Sequence, residues 1–238
     1  MKVCLIGYGK MGKAIEPILV ERGHELSGIV TRSNSSQLAD FLSQSDVAIE
    51  FTDPESAFDN LLSCFEHQVP VVSGTTGWLA QWDDLIHILQ ETDGTMLWAS
   101  NFSIGVNVLF EVNRLMAKIM SRLPEYQIQV EEIHHIHKKD KPSGTAVSLI
   151  NDIMDKHPIY KSWILDPQEP NADQLSVLAK REESVVGYHK VRFKSPIDQL
   201  EISHEAFTRE GFAKGAVFAA EWLKGKKGLY TMSQALGF

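Results

Sequence analysis

The chain has 238 residues, of which 43% are hydrophobic and 23% charged, so we expect a folded globular protein of two modest domains or one large one. Its formal net charge of −8 argues against a general nucleic-acid binder, which needs a surplus of lysine and arginine on one face. No run approaches 18 consecutive apolar residues and no secretory leader opens the chain, so we predict a cytoplasmic protein that does not bind a membrane.

Strand-like and helical segments alternate through the first hundred residues. The predicted strands are Val3–Ile6, Gly28–Val30, Val47–Phe51, Val69–Val72 and Thr95–Ala99, and the predicted helices are Met11–Glu21, Glu55–Glu66 and Gln81–Glu91. Parallel strands need crossovers about one helix long, so this alternation predicts an α/β fold, a doubly wound parallel sheet of the Rossmann type. Pro17 falls inside the first predicted helix, where we expect a kink near Lys13.

A glycine pattern separates the first strand from the first helix. It reads Gly7, Tyr8, Gly9, Lys10, Met11, Gly12. Glycines at these three positions permit a tight turn, a close approach of backbone to a pyrophosphate, and close packing of helix on strand. The N–H groups that begin the helix would bind the anion. The pattern predicts a dinucleotide site; the alternative is a glycine-rich turn without a ligand.

Three further loops follow predicted strands at the same sheet edge. Thr31 and Arg32 stand where an NAD enzyme usually has an acid for the ribose 2′-hydroxyl, and both could donate to a 2′-phosphate. NADPH should therefore be accepted, while the preference between NADPH and NADH stays open. The other loops are Gly74, Thr75, Thr76 and Gly77 after the fourth strand, and Ala99, Ser100, Asn101 and Phe102 after the fifth. We predict that these loops converge on one crevice with the glycine turn.

The rhythm changes near residue 104, where a second domain is expected. A long amphipathic helix, roughly Ile104–Leu123, is predicted to place Val108, Leu109, Val112, Leu115, Met116 and Ile119 on one face. Then follow a strand Gln127–His135, a helix Ser143–Met154, a loop Lys161–Asp173, strands Leu175–Lys180, Tyr188–Phe193 and Leu200–Ala206, and a last helix Phe212–Leu223. This block predicts an α+β domain with an open mixed or antiparallel sheet and a helix on one face.

The segment Glu132–Ala146 concentrates three histidines, three lysines and a Ser-Gly-Thr turn. Neighbouring side chains of a strand point to opposite faces, so we expect only one of His134 and His135 to enter a given pocket. A histidine suits proton donation near neutral pH, and Lys138 supplies a cation beside it. A zinc site built from these histidines is the alternative, but the lysines and the hydroxyl turn favour an anion, so no metal is predicted.

Together these motifs resemble the signature of the dihydrodipicolinate reductase family over nearly the whole chain. The matching residues are the run from Glu132 to Ala146, Gly74–Gly77, Asn101–Asn107, Gly187 with His189, and His204, Arg209, Phe212, Ala213, Gly215 and Ala216. The chain departs from the family pattern by a glycine loop one residue shorter, Thr31 for an acid, Ile136 for a basic residue and Glu50 for aspartate.

The resemblance implies NAD(P)H-dependent reduction of a small cyclic dicarboxylate in the diaminopimelate route to lysine. It implies His134 as proton donor, Lys138 as second catalytic residue, and His135, Ser143, Gly144 and Thr145 as binders of the substrate carboxylates. Coenzyme contacts would come from Gly7–Gly12, Thr31, Arg32, Gly74–Thr76 and Ala99–Phe102. It further implies a dinucleotide domain of residues 1–103 and 209–238, a substrate and oligomerisation domain of residues 104–208, a hinge, and a homotetramer built on the central sheet.

Two rival functions remain at this stage. An aspartate-type amino-acid dehydrogenase can share the nucleotide domain and a histidine base, but the run from Lys138 to Thr145 argues against it. A redox-sensing module would bind NADPH without oxidising it, and His134 and Lys138 would then have no catalytic role.

Overall fold

A computed structural model describes residues 1–238, and the chain divides into two compact units. Unit 1 comprises Met1–Ile104 with Glu210–Phe238, and unit 2 comprises Gly105–Arg209. Each unit has its own sheet and its own apolar core.

Unit 1 is built on a sheet of six parallel strands in the order β11-β5-β4-β3-β1-β2. The strands are β1 (Lys2–Ile6), β2 (Glu25–Val30), β3 (Val47–Glu50), β4 (Val71–Ser73), β5 (Thr95–Trp98) and β11 (Gly228–Tyr230). The helices are α1 (Lys10–Glu21), α2 (Leu38–Leu42), α3 (Pro54–Glu66), α4 (Trp82–Glu91), α7 (Glu210–Leu223) and α8 (Met232–Leu236). The predicted Rossmann-like class is confirmed.

Apolar layers cover both faces of this sheet, as a parallel sheet requires. One layer joins Ile15 and Leu19 of α1 to Ala216 and Ala220 of α7 over the inner strands. The small residues of α7 allow a close approach: a Cβ added at Gly215 would lie 1.7 Å from the backbone oxygen of Phe102. The second layer contains α3 and α4 side chains. The C-terminal segment therefore completes the core of unit 1.

Unit 2 has a mixed sheet of five strands in the order β10-β9-β6-β8-β7. Its elements are α5 (Ile104–Met120), β6 (Gln127–His134), α6 (Gly144–Lys156), β7 (Ser162–Leu165), β8 (Gln174–Arg181), β9 (Gly187–Lys194) and β10 (Gln199–Ala206). The central strand β6 runs antiparallel to β9 and parallel to β8. Side chains of α5 and α6 pack with those of the sheet in one core. None of the helices in the chain combines the length and apolar character needed to cross a bilayer.

One prediction for unit 2 was wrong: β7 lies inside the segment predicted as a loop, where it pairs with β8. The apolar residues predicted to share one face of α5 differ in burial: Leu109 is buried, whereas Val108, Val112, Leu115 and Ile119 are exposed. The other buried residues of this helix include Asn113, Ala117 and Met120. In unit 1, α1 continues through Pro17, and the kink near Lys13 stays a prediction.

Candidate functional site

The three glycines of the turn in unit 1 have different steric surroundings. Gly7 has φ = +95°, and a Cβ there would lie 2.0 Å from the backbone oxygen of Phe51. A Cβ at Gly12 would lie 2.3 Å from the oxygen of Gly7, so helix and turn touch through backbone. Gly9 differs, because a Cβ added there would meet nothing within 4 Å. That open space at the start of α1 is where a pyrophosphate can approach the backbone.

A cavity of about 780 Å³ opens beside this turn, within the size range of small-molecule sites. Its lining comprises Ile6, Gly7, Tyr8, Gly9, Val30, Thr31, Arg32, Ser35, Phe51, Thr52, Asp53, Glu55, Ser56, Asp59 and Asn60. It thus brings Gly7, Tyr8 and Gly9 of the glycine turn together with Thr31 and Arg32. These residues fit a nucleotide. The exposed backbone N–H groups at the N-terminus of α1 can donate to a phosphate, and part of the remaining cavity wall is apolar. Gly74–Thr76 and Ala99–Phe102 do not line this cavity.

The loop after β4 is tied to the cavity through Glu50, a fully buried carboxylate at the end of β3. Glu50 accepts hydrogen bonds from the hydroxyls of Ser73 (2.6 Å), Thr75 (2.7 Å) and Thr52. The Thr75 hydroxyl also accepts from the backbone N–H of Thr52 at 2.8 Å. Thr75 therefore stabilises this edge of the sheet through the two hydrogen bonds of its hydroxyl. The sequence marked Glu50 only as a departure from the family pattern.

The fifth-strand loop reaches the same edge through packing. The Ala99 N–H donates to Ser73 O at 3.3 Å, and the Phe102 and Phe51 rings meet edge to face with centroids 5.5 Å apart. Phe102 is buried, and Asn101 Oδ1 accepts from the Ser103 N–H at 2.9 Å. Ser100 is exposed beside them. The loops that follow β1, β2, β4 and β5 therefore lie at one edge of the sheet. Phe102 itself is packed in the core of unit 1.

In unit 2, His134 ends β6 in a buried polar network. Its Nδ1 lies 2.6 Å from Glu132 Oε2. Arg181 NH1 donates to the other oxygen of Glu132 at 3.0 Å. Burial opposes charge on Glu132, but contacts with His134, Ser143 and Arg181 prevail and lower its pKa to about 2. The carboxylate is therefore fixed and ionised beside the imidazole.

His189 of β9 extends this network to the start of α6. Its Nε2 lies 3.1 Å from the hydroxyl of Ser143, the N-cap of α6, and that hydroxyl accepts from the Ala146 N–H at 3.2 Å. The rings of His134 and His189 meet edge to face at 5.0 Å. Burial, together with the nearby charge of His134, lowers the pKa of His189 to about 3, so this ring is neutral at pH 7.

The buried network predicts that the chain loses stability as the pH falls below about 6.5. His189 resists protonation when folded, with a pKa of about 3, whereas the unfolded chain takes up the proton near pH 6.5. Glu132 adds a second loss from about pH 4.5 downward, since its folded pKa is about 2. Urea unfolding between pH 8 and pH 5 measures the effect. H189Q should flatten this dependence, and an equally steep dependence in wild type and H189Q would contradict the assignment.

The remaining predicted substrate residues surround the turn between β6 and α6. Lys138 Nζ pairs with Asp140 Oδ2 at 2.8 Å and is about one-quarter exposed. Gly144 begins the 13-residue helix α6 and is exposed, with nothing within 4 Å of an added Cβ. Thr145 follows, half-buried, while the Ser143 hydroxyl is buried in the network. His135 is half-buried, and burial with the charge of Arg209 lowers its pKa. The segment thus presents a cation and a helix N-terminus.

Three of these groups also have the spacing of metal ligands. Glu132, His134 and His189 offer atoms within 4.8 Å of one another. The Arg181 guanidinium at 3.0 Å already balances the charge of Glu132, so an added cation would face repulsion.

Arg181 and the roles of Glu132 and His189 were missed by sequence reasoning. Glu132 and His134 stand two residues apart on β6 and share a face, a signal that was available. The partners across the sheet depend on register, which pairs His134 with Arg181 and Glu132 with His189. Only the folded sheet supplies that register.

Comparisons with known proteins agree along the chain. A family model described as dihydrodipicolinate reductase, N-terminus, matches residues 1–102, and one described as dihydrodipicolinate reductase, C-terminus, matches residues 105–236. A 4-hydroxy-tetrahydrodipicolinate reductase of Christiangramia forsetii is 46% identical over 99% of this chain and 98% of its own length. The enzyme of the same name from Lawsonia intracellularis is 33% identical, with 98% of each covered.

A solved structure has the same fold. The dipicolinate-bound dihydrodipicolinate reductase of Paenisporosarcina sp. TG-14 has a TM-score of 0.78 at 19% identity, with 97% of each chain covered. An amine dehydrogenase of Mycobacterium smegmatis is less similar, with a TM-score of 0.64 at 11% identity over 98% of this chain and 95% of its own.

Proposed function

The chain belongs to the dihydrodipicolinate reductase family, and we propose that it uses a pyridine nucleotide to reduce 4-hydroxy-tetrahydrodipicolinate to tetrahydrodipicolinate in the diaminopimelate route to lysine. The observation that carries this proposal is the pairing of two sites in one chain. Unit 1 has a glycine turn opening on a nucleotide-sized cavity, and unit 2 has a buried imidazole beside a cationic turn.

For the coenzyme, we propose that unit 1 is the dinucleotide domain and accepts both NADH and NADPH. The backbone of Gly7–Gly12 would hold the pyrophosphate, and Thr31 and Arg32 the adenosine ribose. Gly74–Thr76, which Glu50 holds through Thr75, and Ala99–Phe102 would bound the remaining part of the coenzyme. When bound, the reduced nicotinamide supplies the hydride.

For the substrate, the cationic turn of unit 2 supports binding of a small dicarboxylate. Lys138 would exchange Asp140 for a substrate carboxylate, and the N–H groups of Gly144 and Thr145 at the start of α6 would bind the other. His135 would add a donor at the same turn. Ser143 would act by fixing the start of α6, because its hydroxyl is already engaged with Ala146 and His189.

For the proton, His134 is the supported donor. The 4-hydroxyl group leaves as water, and hydride addition to the unsaturated ring that results leaves an electron-rich centre that must be protonated. A histidine is suited to this protonation near neutral pH. Glu132 occupies the Nδ1 side of the ring, which leaves Nε2 as the atom that delivers the proton. Glu132 stabilises the imidazolium before transfer, and Arg181 holds Glu132 in place.

A coupled assay tests the proposal. Pyruvate and aspartate semialdehyde are converted by a synthase to the cyclic substrate in the cuvette, and coenzyme oxidation is followed at its absorbance maximum. We expect oxidation that depends on both the chain and the synthase. Oxidation of NADH with ammonia and oxaloacetate instead would indicate an aspartate-type dehydrogenase. Coenzyme binding without oxidation in either mixture would indicate a sensing module.

We further propose a homotetramer built on the sheet of unit 2, and a cytoplasmic location. β10 is an edge strand of that sheet, and the flanking Ile197 and Phe207 are 94% and 80% exposed. An unpaired edge with large exposed apolar side chains favours pairing with another copy. Light scattering should give the mass of four chains of 26.7 kDa, and a monomer at assay concentration would contradict the assembly.

A further inference from the structure

More carboxylates than cations line the cavity in unit 1. In this fold the residues that follow β2 recognise the adenosine ribose, and an arginine there accommodates a 2′-phosphate. Arg32 occupies that position and is the only cation among the residues that line the cavity. Asp53, Glu55 and Asp59 line it as well. Three carboxylates therefore line the cavity together with one guanidinium, and NADPH would carry its additional phosphate at that guanidinium.

Asp53 holds this guanidinium directly. Arg32 NH2 donates to Asp53 Oδ2 at 2.9 Å, while Asp53 Oδ1 accepts from the N–H (3.1 Å) and hydroxyl (2.6 Å) of Ser56 as the N-cap of α3. The hydrogen bonds from Ser56, and then that from Arg32, lower the pKa of Asp53 to about 2. Asp53 is thus a fixed anion, and a 2′-phosphate must compete with it for Arg32.

Thr31 is engaged in the same way. Its hydroxyl donates to Asn34 Oδ1 at 2.8 Å, and its N–H donates to the same atom at 2.7 Å. The Asn34 side chain is held in turn by Ile29 O at 2.9 Å. Both donors that the sequence offered to a 2′-phosphate are therefore already used within unit 1.

We propose that Asp53 is a coenzyme-specificity residue, which holds Arg32 and disfavours the 2′-phosphate, so that the chain binds NADH more tightly than NADPH. The inference rests on the proposed coenzyme site. A phosphate monoester carries about −1.5 to −2 charges at pH 7, so its repulsion by Asp53 is larger than that felt by a 2′-hydroxyl. Glu55 and Asp59 act in the same direction from the first two turns of α3.

The variant D53N tests this role. Asparagine caps helices as well as aspartate does, so α3 should keep its N-cap. Arg32 keeps its charge but loses the carboxylate that it pairs with. We expect the Kd for NADPH to fall by about 3- to 10-fold and the Kd for NADH to stay within about twofold, the range of one or two exposed charge interactions. Fluorescence titration of both coenzymes measures this without any turnover, and added salt should reduce the difference.

Two further variants make the result specific. D84N removes an exposed first-turn carboxylate from α4, outside the cavity, and should leave the ratio of the two Kd values unchanged. D59N should lower the Kd for NADPH in the same direction as D53N by a smaller factor, and it does not depend on the N-cap. NADH binding by each variant reports that unit 1 is folded.

The outcomes separate this inference from the proposed function. Tighter NADH binding by the wild type, with the ratio shifted toward NADPH in D53N, supports it. Tighter NADPH binding by the wild type, or a D53N ratio equal to that of D84N, overturns it. Failure of both coenzymes to bind would overturn the coenzyme site itself. Selective binding without oxidation in the coupled assay would leave the role of Asp53 standing and remove the reductase assignment.

Discussion

Replacing His134 by glutamine should lower kcat by about 10²- to 10⁴-fold, the usual contribution of a positioned general acid. Glutamine can still donate a hydrogen bond from this position but cannot release a proton to the reduced ring. Its side chain should remain within the buried network, because the amide can contact Glu132. The coupled assay measures kcat, and fluorescence titration measures the Kd for NADH, which should stay within about twofold because His134 belongs to unit 2.

The matched control is H137Q. His137 is exposed and three residues further along the same segment, so it shares the local backbone but not the network around Glu132. We expect its kcat to stay close to that of the wild type. Full turnover by H134Q, or an equal loss in both variants, would show that the proton comes from another group.

Replacing Gly7 by alanine should destabilise unit 1 by about 2–6 kcal/mol, which is enough to unfold many domains. Two causes add: the positive φ of +95° and a Cβ 2.0 Å from the backbone oxygen of Phe51, which cannot rotate away as a side chain would. Thermal unfolding followed by circular dichroism measures the loss.

Gly9→Ala separates binding from folding at the same turn. Its φ is negative and the space around its Cβ is open, so the loss of stability, about 1 kcal/mol for alanine in place of a glycine N-cap, should be smaller than in Gly7→Ala. The added methyl group would stand where the pyrophosphate approaches, and overpacking of this kind costs about 1–3 kcal/mol, or about 5- to 150-fold in Kd for the coenzyme. Unchanged coenzyme affinity in G9A would place the pyrophosphate elsewhere.

Much of the fold could be predicted from local pattern. The alternation of short apolar runs with helix-length segments is sufficient for a parallel sheet, and α1, predicted as Met11–Glu21, begins one residue earlier in the structure. β7 was missed because four residues before a proline-containing stretch become a strand only by pairing with β8. The periodicity of α5 predicts an apolar face but not whether that face is buried, and here Asn113 is buried while Leu115 is exposed.

The sequence predicts which residues belong to the candidate site better than it predicts which of them contact one another. His134, Lys138 and the glycine turn are recognisable from the residues next to them in the sequence. The contacts of Glu132 with Arg181, and of Ser143 with His189, join strands that are distant in sequence. The pairing of Arg32 with Asp53 likewise joins the ends of β2 and β3. Such contacts determine the charge state and the position of the side chains in the site, and they form only once the sheets have formed.

The most direct test of the proposed reduction is a crystal structure of the chain with a pyridine nucleotide and dipicolinate, an unreactive analogue of the substrate. We predict pyrophosphate against the backbone of Gly9, one dipicolinate carboxylate on Lys138 and the other at the N-terminus of α6, with His134 and the nicotinamide both touching the analogue ring. Dipicolinate bound away from Lys138 and His134, or a nicotinamide that does not reach it, would contradict the account.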